Sequence, residues 1–120
     1  MATNGKTLKN PVAQRFLEQM NAAQPVSARA MFGGYGFYSA GGPMFALFAF
    51  DQIYVKVDDS NRPEFESAGQ KPFIYDGGEK PMVMQYYSIP ESAWQNQAEL
   101  NKWMQSGIEA AARAATKKKS

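Results

Sequence analysis

Arg29, Lys56 and Arg62 are the side chains of this sequence with the clearest means to do chemistry, because each stands beside a stretch that reads as strand. Cations gathered on one surface hold a phosphate, a carboxylate or an acidic partner through charge-assisted hydrogen bonds. The plainer alternative is three separate solvated charges, or pairs with Asp58 and Asp59, which contribute little when exposed. Arg29 also opens the most unusual segment of the chain, Arg29-Ala30-Met31-Phe32-Gly33-Gly34-Tyr35-Gly36-Phe37-Tyr38. Three glycines in four positions mark a sharp bend or a close backbone approach, and the flanking rings mean that the bend packs against something. The candidate binding residues are therefore Arg29, Met31, Phe32, Gly33, Gly34, Tyr35, Gly36, Lys56 and Arg62.

Reaction machinery is harder to find. The chain has neither cysteine nor histidine, so it offers no disulfide, no thiolate nucleophile and none of the usual zinc ligands. Asp58, Asp59, Glu64 and Glu66 fall in helix-cap and helix positions rather than among apolar neighbours that would raise a carboxyl pKa. Ser27, Ser39 and Ser88 have no histidine to activate them. Gly34-Tyr35-Gly36 begins like a dinucleotide-binding motif, but position 39 is serine and another strand follows instead of a helix. Gly34-Tyr35-Gly36-Phe37 also matches the centre of an RNA-recognition signature, yet Gly33 and Ala40 stand where a cation and a ring belong. The expectation is no catalytic residue, no metal and no cofactor.

The elements that carry these residues follow from periodicity. At 120 residues and 44% hydrophobic composition the chain suits one domain with a real core. Asn10-Pro11 reads as a helix start, and Val12, Phe16, Met20 and Ala23 recur at helical spacing, predicting a helix over 11–23. Arg29 to Phe32 is extended, bends at Gly33-Gly34 and continues over 35–40. The apolar run Met44–Phe50 predicts a central strand, with reversal at Asp51-Gln52. Ile53, Val55 and Val57 then alternate with Tyr54 and Lys56, and the run should pair as an antiparallel meander. A short helix over 61–68, strands over 72–75 and 82–88 around an Asp76–Glu79 loop, and a last helix over 97–115 complete the chain. The fold class is α+β: a central antiparallel sheet of about five strands, order α-β-β-β-α-β-β-α, with helices packed against it. Residues 1–9 and 116–120 read as loose tails around a core of 11–115.

Four segments line up in order: Arg29-x-Met31-Phe32-Gly33-Gly34-x-Gly36-Phe37-Tyr38, then Met44-Phe45-Ala46-Leu47, then Tyr54-x-Lys56-x-Asp58 with Asn61-Arg62-x-x-Phe65, and finally Pro72-Phe73-x-Tyr75 followed by Tyr86-Tyr87-x-Ile89-Pro90. In this combination the chain resembles the N-terminal domain of the TfoX/Sxy family over residues 12–113. The resemblance implies an α+β domain with a central antiparallel sheet, in a bacterial cytoplasm. Two-domain members regulate natural competence, acting with a transcription activator at promoters of DNA-uptake genes. The sequence ends where their second, helical domain would begin, which implies a stand-alone member. The family offers no established catalytic residues to carry over.

The functional expectation is a non-enzymatic regulatory domain that binds a protein partner, with transcription machinery implied by the resemblance and a second copy of the chain as another candidate. Met82, Met84 and Tyr86 share one face of their strand, which either fills a core, the commoner use of such residues, or, left exposed, favours self-association. The alternative is direct nucleic-acid binding through Lys117–Lys119 and outward rings; without those three lysines the rest of the chain holds slightly more acid than base. No apolar run is long enough to span a membrane, and the location expected is cytoplasmic.

Overall fold

A computed structural model of the chain describes residues 8–31, 34–75 and 82–119; for Met31, Tyr75, Met82, Val83 and 117–119 it gives the backbone alone. Helix α1 (Pro11–Asn21) starts where the sequence predicts. The Asn10 side chain accepts hydrogen bonds from the Val12 and Ala13 N–H groups, and Pro11 occupies a position with no N–H to satisfy. Its apolar stripe buries Ala13, Phe16, Leu17 and Met20. Leu8 and Lys9, expected to be loose, are tied down: the Leu8 N–H donates to Gln14 Oε1 at 2.8 Å and the Lys9 N–H to the Tyr35 hydroxyl at 3.1 Å. At the other end Asn21 reaches past the helix to the next strand, accepting from the Val26 N–H at 3.0 Å and donating to the Val26 carbonyl at 2.9 Å.

Six strands follow: β1 (Val26–Met31), β2 (Gly34–Ser39), β3 (Met44–Ala49) and β4 (Gln52–Lys56), then β5 (Pro72–Tyr75) and β6 (Met82–Ser88). They form one antiparallel sheet in the order β1-β2-β3-β4-β6-β5. The α+β class and the antiparallel sheet are as expected. The extra strand comes from the glycine segment, which is a full reversal rather than a bend: β1 and β2 pair antiparallel with Met31 opposite Gly34. Phe32 and Gly33, between them, lie outside the described residues, as does the Asp76–Glu79 loop. The β3–β4 reversal falls at Phe50-Asp51, one residue earlier than expected. Ala49 pairs with Gln52, and both loop residues are left-handed, with φ of 53° and 56°, as a two-residue hairpin requires.

Helix α2 (Arg62–Ser67) follows β4, and α3 (Ser92–Gln95) and α4 (Gln97–Lys119) follow β6. The single turn α3, which periodicity does not announce, carries buried Ala93 and half-buried Trp94. The last helix continues past 115 to Lys119, through residues expected to be a loose tail. Alternation puts Phe37, Ala46, Phe48, Ile53 and Val55 on one face of the sheet, where they share a core with Phe16 and Met20 of α1, Phe65 of α2, Ala93 of α3, and Leu100, Trp103 and Met104 of α4. All four helices thus cover the same face. Gly107 sets how closely α4 lies: a Cβ there would run into Val55 Cγ1 and come within 3.0 Å of the Phe45 carbonyl oxygen.

Asn61 joins these layers. Its buried side chain accepts from the Asp58 N–H at 2.7 Å and donates to the Lys56 carbonyl at 3.1 Å and to Ser106 Oγ at 2.9 Å, linking the end of β4 to α4. Replacing it by alanine removes three part-buried hydrogen bonds, from the Asp58 N–H and to the Lys56 carbonyl and Ser106 Oγ. Asn61→Ala should lower the unfolding free energy by roughly 2–3 kcal/mol in urea titration.

Candidate functional site

The opposite face of the sheet carries a different population. The register aligns Arg29, Gly36, Leu47, Tyr54 and Ser88 in one row across five strands. Around that row Leu47, Ala49, Phe73 and Tyr86 form a second apolar cluster with Met44, Tyr54 and Met84, and among the described residues no helical one belongs to it. The Phe73 ring centre lies 5.0 Å from that of Tyr54 and 6.0 Å from that of Phe50, with the rings tilted against each other. Two cations lie on rings here: the Arg29 guanidinium is 5.6 Å from the centre of Tyr38, and Lys56 Nζ is 5.3 Å from that of Tyr86. Burial, and secondarily Tyr38, push the Tyr86 phenol up to about 12, and burial also raises Tyr54. Phe50 stands at the rim, 80% exposed, in a left-handed conformation unfavourable for a bulky side chain.

The residues named from sequence divide between places. Arg29, Gly36 and Lys56 share this face, but three strand spacings of roughly 4.8 Å separate β1 from β4, so the two cations are not in contact. Tyr35 points the other way, into the helix-covered core, with its hydroxyl accepting from the Lys9 N–H. Gly34 answers a close approach, since a Cβ would fall on the Phe48 carbonyl. Met31 is described in backbone only, and Phe32 and Gly33 are outside the described residues. Arg62, on α2, is away from Arg29 but lines one groove with Lys56, where it donates to Asp59 Oδ1 at 2.7 Å and to Gln85 Oε1 at 2.6 Å. The sequence places Tyr54 beside Lys56 on the non-core face, but the candidate residues drawn from it do not include Tyr38, Tyr54, Phe73 or Phe50. The alternation that grouped Tyr54 with Lys56 was the signal available for Tyr54, whereas nothing in the run Met44–Phe50 marks its last ring as a turn residue.

A groove of about 720 Å³ runs between the β4–α2 connection and α4, lined by Lys56, Asp58, Asp59, Arg62, Gln85 and Arg113 among others. Its charges are largely mutual. Arg113 grips Asp58 with both arms of its guanidinium, at 2.6 and 2.9 Å, and Arg62 meets exposed Asp59. The Arg113 hydrogen bond, reinforced by the Ser60 and Asn61 N–H groups, holds the Asp58 carboxyl down at about 2. Among the described residues no three carboxylates gather where a metal ion could be held.

The folded-state pKa of Asp58 lies below its ordinary value, so its contribution to stability is present above about pH 4 and fades as pH falls toward 2. With both partners partly exposed, that contribution is roughly 0.5–1 kcal/mol. Arg113→Ala should therefore destabilise the protein by about that amount at neutral pH and hardly at all at pH ~2, measured by urea denaturation at the two pH values.

A sheet with every helix on one side and rings with cations on the other defines an α+β domain with one buried and one presented face. The chain belongs to the TfoX N-terminal domain family, whose model matches residues 18–111 and so takes in all six strands and all the residues named from sequence. The family is one of competence-regulator domains and is not known for catalysis. No curated protein matches the chain. Among the described residues no helix is long and apolar enough to cross a membrane.

Proposed function

We propose that this protein is a non-enzymatic regulatory domain that works by binding a protein partner through the helix-free face of its sheet, around Arg29 and Lys56. The observation that carries the reading is the composition of that face: two cations resting on tyrosine rings beside a methionine- and aromatic-lined cluster that, among the described residues, includes none from a helix. Rings, methionine and arginine are the side chains enriched where proteins meet. Phe50 adds to it. An exposed ring held at positive φ costs of order 1–3 kcal/mol, and such strain collects at binding and switching sites. Membership of a competence-regulator family supports a regulatory partner within the transcription machinery.

Two measurements test this reading. In quantitative pull-downs from the native cytoplasm, Arg29→Ala and Lys56→Ala should each weaken partner recruitment while melting stays within a few degrees of the parent, as surface substitutions do. If both mainly unfold the domain, these side chains are structural and the reading fails. Phe50→Asn, which suits a left-handed turn position, should raise stability by about 1 kcal/mol and at the same time reduce recruitment.

A further inference from the structure

The outer edge of β1 is open over two residues. Asn21 holds both the N–H and the carbonyl of Val26, so these groups point away from β2. The β1–β2 register runs without a shift from Val26↔Ser39 to Met31↔Gly34. Strand alternation then turns the backbone groups of Ser27, Arg29 and Met31 toward β2, and those of Ala28 and Ala30 outward. Among the described residues nothing pairs with them. The other edge of the sheet is blunted: β5 has four residues, begins with proline and carries a register irregularity.

We propose that β1 receives an extended, acidic segment of the partner protein as a seventh, antiparallel strand, with a glutamate or aspartate opposite Arg29. The inference rests on the protein-binding reading above and specifies its mode. Ala28 and Ala30 supply four backbone hydrogen bonds, the usual source of affinity in strand addition. Arg29, bonded to β2, faces the incoming strand as a non-hydrogen-bonded pair, the arrangement that brings side chains closest. The incoming residue opposite Ala30 points to the helix side, where a groove of about 460 Å³ is bordered by Lys9, Pro11, Tyr35 and Phe48. A medium apolar side chain fits there, and Lys9 is a second cation beside the same edge.

A second copy of the chain fits this edge poorly. The antiparallel self-pairing that satisfies both alanines on both copies sets Ala28 against Ala30 and Arg29 directly against its own counterpart. Like charges so placed are destabilising. Centring the pairing on Ala28 instead opposes Ala30 to Val26, whose groups Asn21 already occupies.

The test uses two peptides, acetyl-Ser-Thr-Val-Glu-Val-Thr-Ser-amide and its counterpart with lysine for glutamate, titrated by NMR into the full chain up to about 5 mM. The glutamate peptide should bind at least about five-fold more tightly than the lysine peptide and protect the Ala28 and Ala30 amides from exchange. Arg29→Glu should invert the preference. Ala30→Pro removes an outward N–H, a substitution edge strands tolerate, and should abolish binding with helix content retained. If that variant does not fold, the charge inversion alone decides. Equal binding of both peptides, no binding of either, or binding that leaves the Ala28 and Ala30 amides unprotected overturns the proposal. So does a concentration-dependent doubling of mass that protects those amides, which would seat a second copy at the edge. Recruitment of the native partner that falls with Lys56→Ala but not with Ala30→Pro would also overturn strand addition while leaving the broader reading intact.

Discussion

The close contact of α4 with the sheet at Gly107 is the constraint from which most of this structure follows. With no side chain at that point, the helix lies directly on Val55 and the Phe45 carbonyl. Leu100, Trp103 and Met104 then reach the core on the near side and Ala111 on the far side. Trp103 packs 4.7 Å from Phe65, which fixes α2, and Ser106 meets Asn61, which fixes the chain as it leaves β4. A larger residue would lift the helix off the strands, and close-packed interiors have little slack to absorb such a shift.

Because the helices all crowd one face, the other must manage its apolar area alone. Leu47 and Ala49 are buried there among side chains of the sheet itself. Cations laid over tyrosines give that face polarity without breaking up the apolar cluster, since the ring faces attract the charge. The two faces thus differ: one packs against the helices, the other carries cations and rings.

Much of this was legible in the sequence, and the exceptions have physical causes. Local pattern predicts α1, α2, β5 and β6 closely, because α1 buries one helical stripe and the elements are bounded by Asn, Pro or Gly signals. The alternation of Ile53, Val55 and Val57 against Tyr54 and Lys56 is seen in the burial of β4 and the residue after it. By local pattern the glycine segment reads as one kinked strand, because glycines announce a bend without saying how far the chain turns. Phe50 reads as strand because nothing in its type suggests a left-handed turn, and tertiary context overrides that local preference. Charge and nearness to strands group Arg29 with Arg62 in the sequence. The register, which pattern alone does not supply, put them far apart.

The small clamp at the head of β1 has a consequence for behaviour in solution. Asn21 imitates a neighbouring strand at Val26 using atoms of the same molecule. It leaves a docking rail only two residues long, bounded at one end by that amide and at the other by the hairpin. A rail of that length admits a single short guest but gives little purchase for stacking sheet upon sheet. The proline and the irregular register of β5 discourage growth from the opposite side. The sheet can stay hospitable at one edge and still resist running on into fibres.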